Sequence, residues 1–317
     1  MAVSSPPRGL IIDLITPFKK NGDIDGRGLG KHLDRVLPHV QALLLAGPCA
    51  GEGKNLNAAQ RDELLEKALV VVRGRLPILV WISQDTEEKT GETLLLLKKR
   101  LETQKYTGQV FWVDTPLYYH SNRGLPFHYR NISSIAKEPF ILHNDPGLIS
   151  KISRPLKRAN IRTGILKELT RIEDIRGLIF SGSPDRVRNY QKAVRSRTEF
   201  RIYDGDESYF LRHPSLSGVV SVGANLAPGS WEKITASSLN LNNNQKAYPD
   251  YLRQIWELGE YLRNLRDIYH GNFTHLVKRI LHDIGIIEDP SRTSATEDMV
   301  QNTRLLKELM ERYGDFP

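Results

Sequence analysis

Lys167 ends the run Gly164-Ile165-Leu166-Lys167 and is the residue with the most reactive prospect in the chain. A lysine at the end of a buried strand loses solvation, which favours its neutral amine. A neutral amine attacks a ketone and forms a Schiff base, an electron sink for making or breaking a neighbouring carbon–carbon bond. Such chemistry requires a scaffold that brings Lys167 to the same place as the proton-exchanging groups elsewhere in the chain.

The apolar runs supply that scaffold. Leu10 to Leu14, Ala42 to Leu45, Ile78 to Ile82, Gln109 to Val113, Phe140 to Leu142, Ile165 to Leu166, Phe200 to Tyr203 and Val219 to Val222 read as strands, separated by helical or irregular segments. Asn57 with Gln60 three residues on forms a capping-box pattern that opens one such helix. Most of the eight runs are too apolar to keep a wet face, as in a parallel sheet covered by helices. Eight such units in the first 235 residues match a (β/α)8 TIM barrel. No glycine fingerprint follows the first run, which argues against a doubly wound sheet. From residue 236 to 317 the strand signal stops. Leu252, Ile255, Trp256, Leu262 and Leu265 predict one helix face, Leu276 to Ile284 a second, and Leu305 to Met310 a third, giving a C-terminal helical region packed on the barrel.

A barrel carries its chemistry at the C-terminal ends of its strands. Those ends read Thr16-Pro17-Phe18, Gly47-Pro48-Cys49-Ala50-Gly51-Glu52, Thr115-Pro116-Leu117-Tyr118-Tyr119, His143-Asn144-Asp145-Pro146-Gly147, Lys167-Glu168, Gly205-Asp206-Glu207, and Ser221 with Asn225. In order and spacing this series resembles the dihydrodipicolinate synthase/N-acetylneuraminate lyase family of pyruvate-dependent class I aldolases. The resemblance runs from about Gly9 to Pro228, with traces at Gly285 and Arg292. It implies a lyase in which Lys167 condenses with pyruvate or another 2-oxo acid and no separate cofactor or metal is needed. It also implies Tyr118 as the tyrosine donated across a subunit interface, with Tyr119 the competing choice, in a homodimer or homotetramer. Backbone N–H groups of the loop at Cys49, Ala50 and Gly51 would hold the substrate carboxylate, with Gly205 and Val220 completing the substrate site.

The chain departs from the family pattern in ways that bear on substrate. His143 stands where the family has a tyrosine, and histidine exchanges protons near neutral pH. Cys49 and Ala50 replace two threonines, which removes two hydroxyl donors, and Pro48 removes one N–H. Cys49 is expected to be a small buried residue. Leu148 stands where the synthase has an arginine for its aldehyde substrate's carboxylate, so the pattern points away from dihydrodipicolinate synthase itself. A 2-keto-3-deoxy sugar-acid dehydratase and a non-catalytic keto-acid-binding relative are the alternatives. Lys167 and Gly205 also lie about a dozen residues further apart than the family pattern has, which predicts an insertion over Arg171 to Arg188.

Composition narrows the partners. The net charge of +8 is spread along the chain without a dense basic run, which suits small anions or solubility better than nucleic acid. The single cysteine excludes an intramolecular disulfide and a cysteine-based metal site. No stretch approaches a membrane span and the first residues lack a signal-peptide core, so a cytoplasmic protein is expected.

Overall fold

The computed structural model describes residues 5–152, 158–214, 217–239, 248–290 and 296–316. Strands β1 (Gly9–Asp13), β2 (Ala42–Leu45), β3 (Ile78–Trp81), β4 (Val110–Asp114), β5 (Phe140–Asn144), β6 (Ile175–Phe180), β7 (Arg201–Asp204) and β8 (Gly218–Ser221) form a closed barrel, each parallel to the next. Register at the closure pairs Ile11 with Val220. Parallel neighbours need a crossover, and helices supply it: α1 (Gly26–Val36), α2 (Ala58–Val72), α3 (Glu87–Thr103), α4 (Leu125–Ala136), the short α5 (Pro146–Ser150) with α6 (Thr163–Leu169), α7 (Pro184–Val194), and α8 (Glu207–Phe210). After β8, α9 (Pro228–Ser238) completes the outer ring. The expected capping box at Asn57 and Gln60 is formed in full.

The two-residue period of a strand sorts side chains between two cores. On β1, Leu10 and Ile12 join the layer under the helices, whereas Ile11 joins Leu44, Trp81, Ile141, Ile179 and Val220 inside the barrel. The same alternation turns Asp13, the last residue of β1, toward the mouth. Asn225 fixes that end: its Nδ2 donates to the Asp13 carbonyl at 2.8 Å, and its Oδ1 accepts from the Ile15 amide at 3.2 Å.

Seven strands lie where the apolar runs place them, and the sixth does not. Ile165 and Leu166 belong to α6, which buries Leu166 and Leu169 against the barrel and leaves Lys167 exposed. The real sixth strand is Ile175–Phe180, inside the segment expected to be an insertion. The surplus of about a dozen residues is the separation between Lys167 and Ile179 and not an added segment. The reason is local. Two apolar residues are as compatible with one face of a helix as with a strand, while Arg176 interrupts the true strand with a charge. Arg176 is nonetheless buried with its strand.

The C-terminal region forms α10 (Tyr248–Tyr269), α11 (Phe273–Asp283) and α12 (Glu297–Tyr313). In α10, Leu262 and Leu265 are buried as expected, but Leu252 and Trp256 are exposed, so the apolar face is used only over its second half. Tyr261 of α10 stacks on Tyr313 of α12 with ring centroids 4.2 Å apart.

Candidate active site

The C-terminal ends of the strands surround a cavity of about 410 Å³. Asp13, Leu44, His143, Ile179, Gly205 and Val220 come to it from six strand ends, and Arg266, Tyr269, His270 and Phe273 cover it from the C-terminal helices. Of the residues expected here, His143, Cys49, Gly205 and Val220 line the cavity. Ala50 and Gly51 are buried behind the wall. Tyr118 packs edge-on against Trp81, at 6.3 Å between ring centroids, and does not line this chain's own cavity.

Lys167 is not at the mouth. It sits on a solvent-exposed face of the outer helix α6, and the strand-end position assigned to it belongs to Ile179. Ile179 pairs in register with His143 on β5 and is 1 % exposed in the barrel interior. Among the described residues, no lysine lines the cavity. The assignment of Lys167 as the nucleophile is therefore corrected: an amine in water on the outer ring cannot reach a ligand at the barrel axis.

His143 is held by a relay that starts on β3. Trp81 Nε1–H donates to Thr115 Oγ1 at 2.8 Å, and Thr115 Oγ1 lies 2.8 Å from His143 Nδ1. Indole is a donor only and occupies one lone pair of the hydroxyl, which leaves the threonine proton free to be given, and we assign it to Nδ1. This assigns the ring proton to Nε2. Burial lowers the pKa of His143, with Asp145 and Asp114 opposing, so the ring stays neutral near pH 7. Thr115 is itself placed by its amide, which donates to Ser83 Oγ at 2.6 Å, and Ser83 donates on to Asp114 Oδ1 at 2.6 Å.

Asp13 is the acidic group that the strand reading passed over as part of an apolar run. It is 7 % exposed. Burial pushes its pKa from 3.8 up to about 7; the backbone N–H groups of Ala50 and Gly51 pull it down, and the charge of Glu207 adds to the rise. Among the described residues its Oδ1 has no hydrogen-bond partner. Its signal in the sequence was one acid at the inward-facing end of an otherwise apolar strand.

Glu207 is the other buried carboxyl lining the cavity, but its oxygens are occupied. Oε1 accepts from Ser221 Oγ at 2.6 Å and from the Gly223 amide at 2.7 Å, and Oε2 accepts from Tyr269. This ties the end of α10 across β8. A second tie joins Glu52, in the loop after β2, to Lys278 of α11. Cys49 is exposed as a residue, contrary to the expectation of a small buried one. Its thiol is nonetheless crowded by protein: burial first, then the charges of Asp13 and Asp145, push it up to about 11, so it stays protonated near pH 7. Gly205 has a steric reason to be glycine, since a Cβ there would lie 2.3 Å from Ser181 Oγ. Among the described residues no three His, Cys, Asp or Glu side chains converge as metal ligands, and no helix is long and apolar enough to cross a membrane.

Comparison with known proteins places this architecture. A model of the dihydrodipicolinate synthetase family matches residues 6–308. The 4-hydroxy-tetrahydrodipicolinate synthase of Thermotoga neapolitana is 28% identical over 315 residues, covering 97% of this chain and 99% of the relative. That of Archaeoglobus fulgidus is 25% identical, covering 96% and 97%. Among solved structures, dihydrodipicolinate synthase from Thermotoga maritima superposes with a TM-score of 0.77 at 21% identity, covering 98% of this chain and 99% of the other. The enzyme from Acinetobacter baumannii, solved with pyruvate, gives 0.75 at 20% identity, covering 98% and 99%. These likenesses extend from the first strand through the C-terminal helices, and the chain belongs to the dihydrodipicolinate synthetase family, whose members are lyases of the aldolase and synthase type.

Proposed function

We propose that this chain is a lyase that makes or breaks the carbon–carbon bond of a small β-hydroxy carbonyl compound by acid–base catalysis at the barrel mouth, without an imine. The observation that carries this reading is the presence of Asp13 and His143 in one cavity that Ile179 lines from the sixth strand. For cleavage, the Asp13 carboxylate takes the proton of the β-hydroxyl. The carbon–carbon bond breaks, the hydroxyl carbon leaves as an aldehyde, and the bonding pair passes into an enolate. His143 Nε2–H donates a hydrogen bond to the enolate oxygen, and the proton now on Asp13 passes to the enolate carbon, which gives the second product and restores the carboxylate. Addition is the reverse. A base with a pKa near the working pH suits this step, and a neutral imidazole donor suits the developing oxyanion.

Activity as dihydrodipicolinate synthase is not part of this reading. That reaction in the wider family rests on a lysine imine, and here the lysine position is apolar and Leu148 offers no donor to a second carboxylate. Assembly as a homo-oligomer, with Tyr118 reaching a neighbouring subunit's mouth, remains part of the proposal.

The test is turnover of a panel of β-hydroxy aldehydes and ketones by wild type, Asp13→Asn and His143→Phe. Each variant should lower kcat by about 10²–10³-fold, the scale of a lost base or oxyanion donor. Enzyme treated with borohydride in the presence of substrate, then desalted and assayed on fresh substrate, should retain wild-type activity. Turnover indifferent to both substitutions, or abolished by borohydride trapping, would overturn the proposal.

A further inference from the structure

The loop after β2 turns its unused amides inward. Within it, the Glu52 amide donates to the Cys49 carbonyl at 3.1 Å and the Gly53 amide to the Gly47 carbonyl at 2.9 Å. Thr16 Oγ1 donates to the Gly51 carbonyl at 2.7 Å, which anchors the loop to the end of β1. Pro48 has no N–H. Of the amides that remain, those of Ala50 and Gly51 act on the carboxyl of Asp13 and favour its charged form. The fit is close on the other side as well, because a Cβ on Gly47 would lie 2.0 Å from Asp13 Oδ1. An anion-holding loop thus already holds an anion, supplied by the protein's own first strand.

The basic side chains nearest the mouth are Arg266 in the lining and, acting on Cys49 from outside the lining, Lys54 and Lys151. Arg266 is the arginine among the lining residues, and it is engaged by Asp206 at 3.8 Å and Asp267 at 3.3 Å. Asp145, Asp206 and Glu207 line the same cavity and add negative charge. Lys54 lies beside Cys49 in the adjoining cavity, outside the mouth itself. Asp13 Oδ1 is buried against Gly47, and the carboxyls that line the mouth present a ligand with acceptors, to which a hydroxyl donates and a carboxylate does not.

We infer that Asp13 is a specificity-determining residue that occupies the carboxylate cradle, so that the mouth selects against 2-oxo acids and for uncharged hydroxylated carbonyl compounds whose hydroxyl meets its acidic lining. This rests on the reading of the mouth as the substrate site and narrows its substrate class. Removing the side chain frees the Ala50 and Gly51 amides for a ligand's carboxylate.

Pyruvate and dihydroxyacetone are the probes, since both are three-carbon ketones and differ in carboxylate against hydroxyl. Their affinities are read by ligand-observed NMR titration of the full chain as wild type, Asp13→Ala and Asp13→Asn. Wild type should favour dihydroxyacetone, and Asp13→Ala should bind pyruvate at least tenfold more tightly than wild type does. If the alanine variant fails to fold, the near-isosteric Asp13→Asn should show the same gain in smaller degree. Pyruvate affinity that is unchanged or weakened in the folded variants overturns the inference. A gain of pyruvate binding in a protein whose wild type cleaves no β-hydroxy carbonyl compound would sink the acid–base reading alone, and cleavage without the gain would sink only this one.

Discussion

Replacing Asp13 by asparagine should stabilise the protein in alkaline solution and do so less as pH falls. The carboxyl is 7 % exposed, and its pKa rises from 3.8 to about 7 on folding. The native state therefore holds a proton that the unfolded chain has already released between those values, so stability falls as pH rises through that window. At about 1.36 kcal/mol per unit, the full penalty on wild type is about 4 kcal/mol above about pH 8 and roughly 1.5 kcal/mol at about pH 5. Asparagine is near-isosteric and uncharged, and removes the penalty at both values. Denaturant unfolding of the two proteins, with matched m-values, should thus show a gap in favour of Asp13→Asn that widens by roughly 2–3 kcal/mol between about pH 5 and pH 8.5. A gap that is constant over this range, or that narrows as pH rises, would refute the assignment of Asp13 as a carboxyl strained by burial.

Two further outcomes follow from the same geometry. Ile179→Lys should place an amine at the barrel mouth, create a dihydroxyacetone adduct reducible by borohydride, and lower stability by roughly 2–4 kcal/mol through burial of an ionisable group; intact-mass analysis and thermal unfolding check both. Tyr269→Phe leaves Glu207 Oε2 without its phenol donor and should cost about 1–3 kcal/mol, read as a lower denaturation midpoint at pH 7, with lost protection of the end of α10 in amide exchange.

The fold was legible because barrel strands are apolar on both faces, and runs such as Ala42 to Leu45 have no other economical use. The strand-end motifs were legible for the same reason, since a loop following such a run must lie at the mouth. What misled was the sixth unit. Leu166 and Leu169 bury one side of α6 with a spacing of three, but the short run before Lys167 reads equally as a strand. Arg176 hid the strand that follows. The excess spacing between Lys167 and Gly205 equals the sequence separation of Lys167 from Ile179 on the true strand, and no inserted segment accounts for it. Asp13 escaped notice because an acid at the end of an apolar run looks like the start of a loop until strand alternation points it inward. Glu207 and Tyr269 are 62 residues apart, and nothing local in either segment announces their contact.

The account turns on where the reactive amine is not. Wild-type protein incubated with pyruvate and borohydride, then digested and mapped by mass spectrometry, tests it most directly. The structure places Lys167 in solvent on α6 and Ile179 at the mouth, so no reduced pyruvate adduct should appear on Lys167, and the Ile179→Lys protein treated with dihydroxyacetone and borohydride should acquire an adduct at residue 179. A stoichiometric adduct on Lys167 in the wild type would contradict the account.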